Sequence, residues 1–238
     1  MRSRLRGLIA VWVAALAWAA SAPAAHGAVF RDIAFYTGGS ITAPTSVVID
    51  QEGHGTTTIQ DVRFLNKPFV PPPYYGVRVR WDWPSPMSRL DRVGTEFEFV
   101  HFKIYYESGD DPDGVIQRFD ATDGLNLFYV NAVGSVGLQE GFLLSGRVGV
   151  GPVVSHPETE IRNQKKGSDG DWRGYEYSGI TWQAGVALEK SLAWPARGSR
   201  AFLEYKFTAA DPKIGIAGGS ATTSVRAHHF VVGWSVRL

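Results

Sequence analysis

The chain contains no cysteine in its 238 residues. This absence excludes a disulfide-stapled secreted scaffold, a thiolate metal site and a cysteine nucleophile. A strong excess of one charge is also missing, because 24 Lys and Arg stand against 23 Asp and Glu. No basic run resembles a nucleic-acid site, so we predict no nucleic-acid partner.

Long apolar stretches are scarce as well, and the one that stands out lies near the N-terminus. Residues 7–20 are apolar, follow three arginines and precede a small-residue segment at 21–28. This order is typical of a secretory signal peptide, and a membrane anchor would need a charged flank that is missing here. We predict a cleaved signal peptide at 1–28 and one domain at 29–238, which carries 21 basic and 23 acidic residues.

The rest of the chain has no apolar stretch long enough for a membrane helix, so any membrane crossing must use strands. From Phe230 to Leu238 every second residue is apolar, and the alternate residues are mostly small or polar. Such a strand suits a transmembrane β-barrel, where lipid covers one face and the first strand pairs with the last. The pattern also resembles the C-terminal assembly signal of bacterial outer-membrane barrels, which implies the barrel assembly machinery as a partner.

About eight segments show this alternation of apolar and polar residues. The connections between them are short and long by turns along the chain. We therefore predict an all-β fold, an eight-stranded antiparallel transmembrane β-barrel of the outer-membrane type, monomeric, with short periplasmic turns and long extracellular loops. A barrel of this size is filled by side chains, so we predict no diffusion pore. The predicted strands are 29–37, 74–83, 95–107, 125–135, 143–154, 180–188, 201–208 and 225–238.

Charged residues fall on the predicted inward face of these strands. A buried charge without a partner costs several kcal/mol, so we interpret them as a structural plug of salt bridges. A catalytic role for Glu98 or Glu204 is the weaker interpretation. The inward set is Arg78, Arg80, Asp82, Glu96, Glu98, Arg147, Glu189, Glu204, Lys206 and Arg237.

The predicted third strand admits two registers. If its two phenylalanines before Val100 face lipid, strict alternation also points His101, Lys103 and Tyr105 outward, near the lipopolysaccharide headgroups. A bulge near Val100 would instead turn those three residues into the barrel. Either way a His, a Lys and a Tyr share one face, which suits proton exchange, phosphate binding and hydrogen-bond donation. An amphipathic girdle with a snorkelling Lys would use the same residues.

Four strings, in the same order over most of the domain, resemble the lipid A oxidase family of rhizobial outer membranes and its barrel relatives. They are Pro72-Pro73-Tyr74-Tyr75-Gly76-Val77-Arg78, His101-x-Lys103-x-Tyr105, Thr122-Asp123-Gly124-Leu125-Asn126 with Val130-Asn131-Ala132, and Glu204-Tyr205-Lys206. The resemblance implies an outer-membrane barrel that oxidises the proximal glucosamine of lipid A to 2-aminogluconate. It also implies O2 as the oxidant and hydrogen peroxide as the by-product.

Together with side-chain chemistry, the resemblance assigns roles to individual residues. His101 is expected to be the general base, Lys103 to hold a phosphate or sugar oxygens, and Tyr105 or Asp123 to orient the sugar. Substrate binding is assigned to Asn126, Asn131 and Arg78.

The electron acceptor is the missing part of this chemistry, because the sequence contains no flavin or nicotinamide motif. A bound divalent metal is our working hypothesis, with His156 and His229 as ligands near the extracellular strand ends and Glu158 beside His156. Isolated His residues at a barrel rim are also common as plain polar surface.

Two other functions stay open at this point. A non-catalytic surface barrel, structural or adhesin-like, would use the long loops to bind a partner or to shield the membrane. A lipid A deacylase ranks below it, because the domain has no His-x-Ser string to serve as its catalytic pair.

Overall fold

The computed structural model of the protein describes residues 30–167, 174–194 and 197–238. The predicted signal peptide at 1–28 lies outside these residues. Within them no helix is long and apolar enough to cross a membrane. The strands are β1 Phe30–Thr42, β2 Thr45–Gln51, β3 Gly55–Leu65, β4 Tyr75–Pro84, β5 Arg92–Asp110, β6 Ile116–Gly137, β7 Phe142–Ser155, β8 Glu158–Ile161, β9 Gln164–Lys166, β10 Glu176–Ser191, β11 Arg200–Ala210, β12 Lys213–Ile216, β13 Gly219–Thr223 and β14 Val225–Arg237, and a 3-10 turn lies at Gln139–Gly141.

Eight of these strands close into an antiparallel ring. The pairing order is β1, β4, β5, β6, β7, β10, β11 and β14, and β14 returns to β1. At the closure Phe35 lies opposite Trp234 and Ile33 opposite Val236, so the apolar faces of the first and last strands match. The ring confirms the predicted eight-stranded antiparallel barrel.

The outer wall of the ring is apolar over a continuous belt. Side chains that alternate with the lumen residues are exposed there, as expected for strands whose outer face is covered by lipid. The belt includes Phe35, Tyr75, Trp83, Leu144, Val148, Val150, Ile180, Trp182, Val186, Leu188, Leu203, Phe230 and Val232.

The long connections differ from the sequence-based prediction. Residues 38–73 were expected to form a polar connection, but β1 continues to Thr42 and the hairpin of β2 and β3 follows. The connections after β7 and β11 likewise form the β8–β9 and β12–β13 hairpins. The physical reason is an apolar core, which buries Val47, Ile49 and Ile214 at the end of the barrel that carries the long connections. We call this part the cap.

The lumen within the belt is polar and paired. Arg78 Nε lies 2.9 Å from Glu98 Oε1 and its Nη1 2.6 Å from Glu204 Oε2, with all three side chains buried. A second group lies closer to the short turns, where Arg80 Nε is 2.7 Å from Asp82 Oδ1. The lumen cavity beside them measures about 20 Å³, room for roughly one water. These contacts confirm the predicted salt-bridge plug.

Val232 tests the lipid-facing wall, because it lies near the middle of β14 and is 51% exposed. We expect Val232→Arg to destabilise the barrel by about 2–4 kcal/mol, since the new charge faces hydrocarbon near the bilayer midplane. Urea unfolding in phospholipid vesicles measures this change. His54→Arg, at an exposed position of the cap, is the control and should change the free energy of unfolding little. A mild effect of Val232→Arg would show that this wall does not face lipid.

Candidate active site on the outer wall of the barrel

The site lies where β5 leaves the apolar belt. His101 is paired with Tyr75 across β4 and β5, and the two rings stack with centroids 5.1 Å apart. Val100 and Phe102, its neighbours in the strand, are buried in the inner core. Strict alternation therefore holds here, so His101 and Lys103 lie on the outer side, and the alternative of a bulge near Val100 is wrong.

The irregularity occurs instead in the facing strand β6. The β5–β6 register shifts between Phe102 and Ile104, which gives β6 two extra residues around Asp123. Gly124 has φ +103°, and a Cβ there would overlap the His101 ring. Glycine is therefore required at this position, both for the backbone conformation and to admit the imidazole.

Asn126 sets the protonation pattern of the imidazole. Its Oδ1 lies 2.9 Å from His101 Nδ1, and its Nδ2 donates to the Asp123 carbonyl oxygen at 3.5 Å. An amide oxygen can only accept, so Nδ1 carries the hydrogen and Nε2 holds a lone pair. His101 is 4% exposed, and among the described residues its Nε2 has no hydrogen-bond partner. This atom is suited to accept a proton or to bind a metal.

A second cluster lies beside the bulge. Asp123, His156 and Glu158 each present a ligand atom, and these atoms lie within 4.8 Å of one another. His156 Nδ1 is 3.7 Å from Asp123 Oδ2 and 3.7 Å from Glu158 Oε1. His156 and Glu158 are buried, whereas the Asp123 side chain is 28% exposed. One imidazole and two carboxylates suit a divalent first-row ion.

Neighbouring strands hold the cluster in place. Glu158 accepts hydrogen bonds from the Thr122 hydroxyl and from the Arg118 guanidinium, which also offsets its charge. The Tyr175 ring contacts His156 edge-on at 5.0 Å, and its hydroxyl donates to the Asp123 carbonyl at 3.3 Å. Burial and the nearby Asp123 raise the pKa of Tyr175, so its phenol stays a donor.

Lys103 and Tyr105 lie above His101 on the same outer side. The Lys103 ammonium donates to the Val70 carbonyl at 2.7 Å and is 2% exposed. Burial lowers the pKa of Lys103, and the Asp123 carboxylate opposes this effect. The Tyr105 ring lies 4.3 Å from the Lys67 ammonium. Lys103 therefore fastens the preceding loop to the wall, and Lys67 is the more accessible cation.

Three residues assigned from the sequence lie elsewhere. Arg78 is inside the barrel with Glu98 and Glu204, and Asn131 donates to both Glu96 and Glu98 in the same lumen. The structure therefore does not bring these two to the outer site. The expectation that His229 shares a metal site with His156 is also corrected. His229 points into the lumen and lies between the Tyr74 and Thr208 hydroxyls, at 3.1 and 2.8 Å.

Three further residues belong to the site and were not predicted from the sequence: Thr122, Gly124 and Tyr175. A usable signal was the string Thr122-Asp123-Gly124, because an isolated glycine in a strand pattern often marks a bulge. Tyr175 follows a long connection, and no periodic pattern points to it.

Comparisons with known proteins leave the family open. No protein-family model and no curated protein matches the chain. Among solved structures it is similar to the Neisserial surface protein A (10% identity, 89% of this chain, 99% of the other, TM-score 0.38), to outer membrane protein OprG from Pseudomonas aeruginosa (10%, 88%, 97%, 0.43) and to outer membrane protease OmpT from Escherichia coli (13%, 88%, 96%, 0.39). At these TM-scores the similarities carry no argument about the fold. The fold assignment rests on the strand pairing observed in this chain.

Proposed function

We propose that the protein is an outer-membrane enzyme that modifies lipid A, oxidising its proximal glucosamine to 2-aminogluconate. The observation that carries this proposal is the position of His101 on the outer side of β5, just above the apolar belt, with a buried Nε2 that has no hydrogen-bond partner among the described residues. Lipid headgroups lie at about that level, so a lipid would approach the site from the membrane side, and contact with Nε2 requires its cover to move aside. The resemblance of the sequence strings to lipid A oxidases supplies the reaction class.

The reaction acts on lipid A whose proximal glucosamine has a free C1 hydroxyl. It removes the hydroxyl proton and, from C1, a second proton together with two electrons. O2 accepts both electrons and both protons and becomes hydrogen peroxide, and water then opens the resulting lactone to the acid. The product therefore gains one oxygen. His101 Nε2 accepts the C1 hydroxyl proton, because Asn126 keeps the hydrogen on Nδ1 and the lone pair on Nε2.

Asp123, His156 and Glu158 would hold a divalent ion, and their oxygen and imidazole donors fit such an ion. A redox-active ion there would provide a route for electrons between sugar and O2. Thr122 and Arg118 orient Glu158 through hydrogen bonds, as outer-shell partners do for metal ligands.

The proposed function is tested with purified, folded protein and purified lipid A under air and under argon. We expect a product heavier by one oxygen under air, together with hydrogen peroxide, and no product under argon. Product formation under argon would exclude O2 as the oxidant. Absence of product under air from heat-modifiable, folded protein would favour the non-catalytic surface barrel instead.

Metal binding can be measured without any turnover. We expect Co2+ to bind the folded wild type and to bind Thr122→Val about tenfold more weakly, since loss of an outer-shell hydrogen bond costs about 10- to 100-fold in affinity. Isothermal titration calorimetry in detergent gives both affinities. Thr56→Val, at an exposed position in β3, is the matched control and should bind as wild type does. Failure of the wild type to bind would contradict the metal site.

A further inference from the structure

Residues 66–73 form a loop between β3 and β4, which we call the rim loop. Its tip is apolar and open, since Phe69 is 81% exposed and Val70 is 47% exposed. Exposed apolar residues mark a contact site when they extend a larger apolar surface. The rest of the loop shows which contact this is.

The rim loop is fixed in position. The Lys103 ammonium binds the Val70 and Pro71 carbonyls at 2.7 and 3.5 Å, from the outer side of β5. The Tyr74 amide donates to the Pro68 carbonyl at 2.8 Å, which closes the base of the loop. Because the buried Lys103 ammonium binds two carbonyls of the loop, it holds the tip of the rim loop in one position.

The loop lies against the outside of the barrel. Pro68 packs over Gly39, where an added Cβ would contact the Pro68 ring at 3.5 Å. Gly39 lies on the same face of β1 as Phe35 and Ile41, and those two side chains are exposed on the outer wall. The tip therefore projects from the wall above β1, β4 and β5.

The apolar tip continues the lipid-facing belt. Tyr75 begins β4 directly after the loop and is 39% exposed as part of the belt. Tyr75 is paired with His101, and Lys103, whose ammonium binds the Val70 carbonyl, lies two residues further along β5, which is roughly 7 Å at about 3.4 Å per residue. The tip is thus at the level of the headgroup layer, which extends about 5–8 Å beyond the hydrocarbon on each side.

We propose that the rim loop is a membrane-docking element that inserts Phe69 and Val70 into the interface of the outer leaflet. Lys67, beside the Tyr105 ring, then faces the anionic headgroups. Continuity with the belt selects a lipid leaflet over a soluble protein as the occupant. This inference does not depend on the enzymatic activity, so it stands or falls separately from the proposed function.

The absence of cysteine allows a clean experiment, because a single introduced cysteine carries a spin label with no background. We use Phe69→Cys in the full protein, in vesicles of phosphatidylcholine with one fifth phosphatidylglycerol. Collision of the label with apolar O2 is compared with collision with a water-soluble nickel chelate. Val148→Cys serves as the lipid-facing reference, and His54→Cys at an exposed turn of the cap serves as the aqueous reference.

We expect the label at position 69 to collide more with O2 than with the nickel chelate, as the label at position 148 does. Accessibility equal to that of position 54 would overturn the proposal. Dipolar broadening between labels would also overturn it, because a second copy of the chain would then cover the tip. If Phe69→Cys does not give a heat-modifiable barrel, Val70→Cys provides the same readout.

Discussion

His101→Ala is expected to lower the rate of lipid A oxidation about 10²- to 10⁴-fold, the usual contribution of a positioned general base. Loss of the imidazole leaves the C1 hydroxyl proton without an acceptor at the outer wall. The His101 side chain packs against Tyr75 and Gly124 on the outer side of the barrel. The backbone pairing that closes the barrel does not depend on it. Heat modifiability should therefore persist, and the assay is oxygen gain in lipid A by mass spectrometry.

Two further variants separate the chemistry from general damage. His228→Ala is the matched control, because His228 is an outer histidine that contacts the Tyr205 hydroxyl at 2.8 Å on β11. It should retain activity. Asn126→Ala keeps the His101 base but loses the hydrogen bond that fixes its tautomer. Its rate of lipid A oxidation should therefore lie between those of wild type and His101→Ala. Full activity in His101→Ala would rule out His101 as the base and shift attention to His156.

Glu98→Ala is expected to destabilise the barrel by about 3–5 kcal/mol, the cost of leaving a buried charge uncompensated. Glu98 accepts hydrogen bonds from Arg78, Lys206 and Tyr36, and its side chain is fully buried. Its removal leaves Glu204 shared among three buried cations, Arg78, Arg147 and Lys206. Urea unfolding in vesicles, followed by tryptophan fluorescence, measures the loss.

Lys165→Ala is the control for this prediction. Lys165 and Glu160 form an exposed pair at 3.5 Å, and breaking it should cost about 0–1 kcal/mol. Glu98→Gln tests the charge at nearly constant volume and should fail nearly as badly as Glu98→Ala. A loss below 1 kcal/mol in both Glu98 variants would mean that the lumen network is hydrated and contributes little.

The barrel could be predicted because its signal is local. Alternation of Val and aromatic residues with Arg78 and Arg80 follows directly from the two-residue period of a strand with lipid outside. The cap strands were missed for the opposite reason. Val47 and Ile49, or Ile214 and Ile216, are short apolar runs in polar surroundings. The pairing that joins their two hairpins, β2 with β13, connects residues more than a hundred positions apart in the chain.

The site was only partly predictable. Alternation placed His101 on one face of β5, but the choice of face depended on whether a bulge occurs near Val100. Asp123 and His156 meet because Leu125 is paired with Ser155, a register that no periodicity in either strand reveals. Arg78 was assigned to substrate through a resembling string, although its inward position in the alternation already indicated the lumen.

The interior of the cap is apolar, whereas the interior of the barrel beneath it is charged. Along β5 the inward residues change from Glu96 and Glu98 to Val100, Phe102 and Ile104, so a charged interior becomes an oily one within a single strand. The cap has the organisation of a water-soluble protein, with apolar side chains buried away from water. Its exposure to water on melting raises the heat capacity, whereas opening a polar lumen lowers it. Cold therefore weakens the cap of this molecule far more than the part within the bilayer.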